Sequence, residues 1–126
     1  MEYICRICNQ PRPESAFTEK SHSLHTCKKC NVLPNQRTEE RDQLDEIFKI
    51  FMQTRISHKD TVRLKTLCNS KYPKVSLHAT LVFEVSQLRP YKKGRYAFLE
   101  QKYPELAKRI DEAGFFYPQY IKMNGD

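Results

Sequence analysis

The chain has 126 residues, of which 39% are hydrophobic and 29% charged, and its formal net charge is +7. That length holds one ordinary domain, or a small module joined to a compact one, and no apolar run approaches the roughly 18 residues that span a bilayer, which excludes a membrane-embedded chain. The basic balance favours an acidic partner, nucleic acid being the commonest, without specifying a fold.

The chain opens on two C-x-x-C turns, Cys5-Arg6-Ile7-Cys8 and Cys27-Lys28-Lys29-Cys30, separated by eighteen residues. That spacing falls within the pattern of a zinc site. Four thiolates suit tetrahedral Zn²⁺ and leave no open position, so one structural Zn²⁺ is expected on Cys5, Cys8, Cys27 and Cys30. Metal binding would lower the net charge to about +5, because four thiolates and one divalent cation add −2. Disulfides are the competing use of these cysteines. The first twenty residues hold no apolar run resembling a secretory signal, which points to a reducing, cytoplasmic setting where disulfides are rare. Redox-active pairs usually accompany a βαβ pattern, and none is visible.

Residues 1–33 read as the zinc-binding module. About thirty residues bury too little apolar surface to fold alone, so the metal supplies the stability. Pro11 and Pro13 resist helix, and Ala16-Phe17-Thr18 is expected to pair with Leu24-His25-Thr26 as a short hairpin across Glu19 to Ser23. A knuckle, a hairpin and a second knuckle leading into a helix is the order of a treble clef. The residues Cys5-Arg-Ile-Cys-Asn, Glu14-Ser-Ala-Phe17 and His25-Thr-Cys27-Lys-Lys-Cys30-Asn resemble the small cysteine modules beside HNH-type endonuclease domains of bacteria and phages. The resemblance covers a quarter of the chain. It implies a zinc-bound treble clef and nucleic-acid association, but no nuclease activity, since no His-Asn-His arrangement follows.

Residues 34–126 read as a compact bundle of about five helices with an aromatic C-terminal tail, so the fold class is α+β, mainly α. Leu44, Ile47, Phe48, Phe51 and Met52 form an apolar stripe of helical period. Pro34 is placed in that helix's first turn, and Glu39, Glu40, Asp42, Asp45 and Glu46 complement its dipole. A second helix opens at Ser57, with Asp60 completing an imperfect capping box, and turns Val62, Leu64, Leu67 and Cys68 inward. Cys68 is read as a small core residue, neither a fifth ligand nor a nucleophile. Ser76 is expected to cap a third helix, with Val75 as a staple and Leu77, Leu81, Val82, Val85 and Leu88 inward, ending at Pro90. A basic helix follows from Tyr91 with Tyr96, Leu99 and Tyr103 inward. The last helix begins at Pro104, carries Leu106, Ile110 and Ala113, and stops at Gly114. The aromatic tail, Phe115-Phe116-Tyr117-Pro118-Gln119-Tyr120, either covers the core or offers rings on which bases stack.

Charge is concentrated in residues 54–95, which hold ten basic residues and two acids, Asp60 and Glu84. Such asymmetry marks a phosphate-facing surface. The expected nucleic-acid contacts are Arg63, Lys65, Lys71, Lys74, Arg89, Lys92, Lys93 and Arg95, with Lys28 and Lys29 extending the patch or offsetting the charge of the metal site. His22 and His25 flank the second knuckle as surface or neighbouring residues rather than ligands, since four cysteines complete the set. No Gly-rich phosphate loop is present, and no nucleophile has a base beside it, so no catalytic residue and no small-molecule substrate are expected. The sequence therefore reads as a small, non-enzymatic zinc protein that binds structured RNA, the ribosome or DNA through a basic helical surface. The alternative is a zinc-scaffolded protein-interaction adaptor, docking through the acidic 39–46 face or the aromatic tail. An enzyme with an unrecognised site ranks third.

Overall fold

In the computed structural model, residues 2–18, 25–30 and 38–115 are described, and among them a short antiparallel hairpin precedes five α-helices. The chain is mainly helical, as expected. The hairpin pairs β1 (Glu2–Ile4) with β2 (Pro11–Pro13), setting Tyr3 opposite Arg12. Its turn is the first cysteine knuckle, closed by Cys5 N–H donating to Gln10 O at 3.3 Å and Asn9 N–H donating to Cys5 O at 2.7 Å. Asn9 takes the left-handed conformation there (φ 56°), which asparagine tolerates better than most residues. Two prolines fit a two-stranded ribbon because both strands are edges. The hairpin expected across Glu19 to Ser23 lies, with Leu24, outside the described residues. What joins its flanks is Lys28 N–H donating to Ala16 O at 2.8 Å.

Helix α1 (Glu39–Met52) begins at Thr38, whose hydroxyl accepts the Arg41 N–H at 3.1 Å. Pro34 lies outside the described residues. Leu44, Ile47, Phe48 and Phe51 are buried as their spacing predicts, and Met52 packs partly against the same core. Helix α2 (His58–Leu67) has the expected cap, with Asp60 N–H donating to the Ser57 hydroxyl at 3.1 Å. Val62 is exposed rather than inward. Leu64 and Leu67 define the buried stripe, and a residue two positions before Leu64 points about 200° away from it.

Helix α3 (Pro73–Leu88) starts earlier than the sequence suggests. Pro73 occupies the first helical position, where its missing donor costs nothing, and the Ser76 hydroxyl instead donates to Cys68 O at 2.6 Å. That bond ties α3 to the end of α2, and Cys68 packs partly against the core. Leu77, expected inward, stands exposed at a cleft that Leu81, Arg109 and Ala113 also line. Helix α4 (Arg95–Lys102) starts later than expected, after Gly94 in the left-handed conformation (φ 70°). Tyr91 is held in a β-bridge to Arg55 and cannot join it. Leu99 is buried, Tyr96 half-buried and Tyr103 exposed.

Helix α5 (Pro104–Glu112) ends in a Schellman motif. Gly114 N–H donates to Asp111 O at 2.9 Å and Phe115 N–H to Ile110 O at 3.2 Å. Gly114 has φ 89°, and Phe115 turns into the core against Phe48, Phe51 and His78. The first ring of the aromatic tail is thus core. The others, Phe116, Tyr117 and Tyr120, lie outside the described residues. No helix among the described residues is long and apolar enough to cross a membrane.

Candidate metal centre and basic surface

The β1–β2 turn carries Cys5 and Cys8, and the turn Cys27–Cys30, closed by Cys30 N–H donating to Cys27 O at 3.0 Å, carries the second pair. The four sulfurs lie within 4.8 Å of one another and can hold one metal ion. None is in a disulfide. A tetrahedron with metal–sulfur bonds near 2.3 Å has edges of about 3.8 Å, so little movement would bring all four onto one ion. Backbone donors already face the sulfurs: Ile7 N–H and Cys27 N–H reach Cys5 Sγ at 3.4 and 3.3 Å. Arg12 approaches Cys8 Sγ at 3.9 Å. Burial, reinforced by the neighbouring Cys5 and Cys27, pushes the Cys30 thiol far up. Four crowded sulfurs suit a divalent metal, whose charge favours the thiolate form.

The metal centre is braced from beneath. Arg6, inside the first knuckle and 1% exposed, donates to Asp45 Oδ1 at 2.6 Å and lies 4.3 Å over the Phe48 ring. Arg41, one turn before Asp45, donates to both its oxygens at 3.1 and 3.3 Å and also to Cys30 O. Burial raises the pKa of Asp45, but the hydrogen bond and charge of Arg6, joined by Arg41, outweigh it and hold the carboxyl below its ordinary value. Both knuckles therefore rest on one carboxylate. His25 is likewise buried, the second of its two expected places, beside the knuckle rather than at the surface. Its Nδ1 meets Gly114 O at 2.8 Å, and since a carbonyl only accepts, Nδ1 carries the proton. His25 joins none of the sulfurs as a ligand in this cluster.

The expected nucleic-acid residues do not form one equivalent set. Arg95 is 2% exposed, and its guanidinium donates to Phe51 O at 2.5 Å, Pro90 O at 2.8 Å and Arg89 O at 3.3 Å. It is a structural clamp, which removes it from the contact surface. Burial, with Arg89 adding to it, lowers its pKa to about 10. Arg63 is committed to Glu46 by two bonds of 2.7 and 3.0 Å. Lys71 lies 3.5 Å from Glu39. Lys74 is half-buried, and its pKa is lowered by that burial while the nearby Cys5, Cys8 and Cys30 oppose the shift. Arg89 donates to Lys93 O at 2.9 Å and covers the Phe98 ring. Lys28, Lys29, Lys59, Lys65 and Lys93 are exposed and Lys92 half-buried. None of the ion pairs among the described residues engages them.

No protein-family model matches this chain, and no curated protein or solved structure matches it significantly.

Sequence reading missed Arg6, Arg41 and Asp45 as supports of the metal site, and Arg55 as a partner of Tyr91. Arg6 carries a usable signal, a cation inside a knuckle that ought to find a carboxylate. The Arg55–Tyr91 pair carries none, because it arises from a bridge between two loops.

Proposed function

We propose that this chain is a non-enzymatic zinc protein that binds nucleic acid through cations its own fold leaves uncommitted. The supporting observation is how the charges of α1 and the basic segment are distributed. Three of the five acids of α1 meet partners within the fold: Asp45 with Arg6 and Arg41, Glu46 with Arg63, Glu39 with Lys71 and the Tyr72 hydroxyl at 3.1 Å. The lysines at 59, 65, 92 and 93 have no such partner among the ion pairs of the described residues. A partner of negative charge is the chemistry that answers them. The same accounting weakens the adaptor reading, because three acids of the 39–46 face already have basic partners in the fold. An all-thiolate, closed donor set supports zinc as the ion.

Titration of labelled nucleic acid at rising salt tests the reading. Affinity should fall steeply and log-linearly with salt, and Lys92→Glu with Lys93→Glu should weaken binding and flatten that slope by about two phosphates' worth. Affinity at low ionic strength no better than that of a neutral control would sink the proposal. Protein partners that copurify after nuclease treatment would favour the adaptor instead.

A further inference from the structure

The loop before α4 meets the loop after α1 in a single antiparallel bridge, Arg55 opposite Tyr91. The flanking bonds are Ile56 N–H to Pro90 O and Lys92 N–H to Thr54 O, each 2.9 Å. Arg55 and Tyr91 are therefore the non-hydrogen-bonded pair, the arrangement that brings opposed side chains closest. The Arg55 guanidinium accordingly lies 5.3 Å from the centre of the Tyr91 ring. Arg55 stands on one side of the ring, yet Tyr91 is 50% exposed. Lys92 and Lys93 follow it directly in the chain. The platform is also held still: Arg95 grips Pro90 O and Arg89 O from below, and Arg89 grips Lys93 O.

An exposed aromatic ring on a rigid loop, backed by one cation and followed by two more, has the chemistry of an unpaired-base site. Every base offers a π-face, the ring supplies the stacking surface, and lysines hold the adjoining phosphates. A duplex hides its base faces in its own stack and presents edges and phosphates instead. We infer that the partner is single-stranded nucleic acid, with a base stacked on the face of Tyr91 opposite Arg55 and its flanking phosphates on Lys92 and Lys93. This rests on the nucleic-acid reading above and narrows it from any polyanion to an unpaired strand. Stacking is indifferent to the sugar, so RNA and DNA strands share this chemistry.

The test uses the full, zinc-loaded chain and fluorescence anisotropy with labelled oligo-dT, oligo-rU and a duplex of equal length. Tyr91→Ala should weaken binding to both single strands roughly tenfold and leave duplex binding unchanged. Tyr91→Phe, which keeps the ring, should stay within about twofold of the parent. A preference for rU or dT assigns the strand, and either outcome supports the inference. Equal losses for single strand and duplex, or no loss for either, overturn it while leaving general nucleic-acid binding intact. Absence of binding to every probe overturns both readings together. An independent readout covers an unstable alanine variant. The chain has no tryptophan, so Tyr91→Trp installs a sole indole whose emission should be quenched when oligo-dT is added. Unchanged emission at saturating oligomer contradicts stacking.

Discussion

Arg6 and Asp45 are 39 residues apart in the chain and 2.6 Å apart in the fold, joining the first cysteine knuckle to the middle of α1. Both are buried, and Arg41 completes the carboxylate's set from one turn away while reaching Cys30 O. The pair holds the base of the metal site to the helical body. Removing one member of a buried pair strands the other charge, typically a loss of about 3–5 kcal/mol. Arg6→Met and Asp45→Ala should each lower the denaturation midpoint accordingly. Losses within about 0.5 kcal/mol, as at an ordinary surface site, would show the pair to be incidental.

Acid should act on the same carboxylate. Its folded pKa lies below the ordinary value of about 3.9, so its stabilisation is complete above that pH and is lost as pH falls through the folded value. With metal held in excess, the parent should lose more stability below about pH 4 than Asp45→Asn does. Parallel acid-unfolding curves for the two proteins would remove Asp45 as the cause.

His78 has the opposite charge type but the same direction of effect. Burial, then the charges of Lys74 and Arg6, lowers its pKa to about 3, and its Nδ1 is buried without a hydrogen-bond partner among the described residues. The unfolded chain, with a histidine near 6.5, binds the extra proton between those two values, so stability should decline as pH falls from about 6.5 toward 3. His78→Leu should flatten that part of the curve. Equal slopes in parent and variant over that window would contradict the assignment.

Glycine matters unequally at the two left-handed positions it holds among the described residues. At Gly114 (φ +89°) an added Cβ would lie 2.8 Å from the Arg6 backbone, whereas at Gly94 (φ +70°) it would meet only the end of the Arg89 side chain at 3.4 Å. Gly94→Ala should cost about 1–2 kcal/mol, the left-handed penalty alone. Gly114→Ala should cost clearly more, because backbone cannot yield as a side-chain tip does. Equal melting shifts would contradict the close approach at Arg6.

Elemental analysis should return close to one zinc per chain, and chelation should abolish protection of the Cys5–Cys8 and Cys27–Cys30 turns in hydrogen exchange. Cys5→Ser or Cys27→Ser, at the two buried ligands, should remove the metal. A protein that retains full metal after either change would refute the four-cysteine site. Arg95→Lys offers a contrast within the basic segment: it should destabilise by more than about 2 kcal/mol, since an ammonium cannot serve three carbonyls in the guanidinium's fork.

Local chemistry was readable in order along the chain. The C-x-x-C spacing located the four cysteines that cluster, while Ser57 with Asp60 marked a helix start, Pro104 another, and Gly114 a stop, because each of these helix signals depends on residues within one turn of itself. The 3.6-residue periodicity found most of the core for the same reason. It failed at Val62, which points away from the Leu64–Leu67 stripe, at Leu77, which lines an open cleft, and at Tyr103, which joins two helices at the surface beside Phe98. Ser76 looked like a cap because the proline three residues earlier was not credited with starting the helix itself.

Net charge and its clustering are properties of composition, and the sequence states them fully. Whether a given cation is available is a property of distance. Arg95 finds three carbonyls, Arg63 a carboxylate on another helix, and Arg55 the face of Tyr91, all through folding that brings remote groups together. A sequence counts such residues alike as positive charge, while the folded chain separates a buried clamp such as Arg95 from exposed cations, because buried carbonyls bind a guanidinium that water no longer reaches.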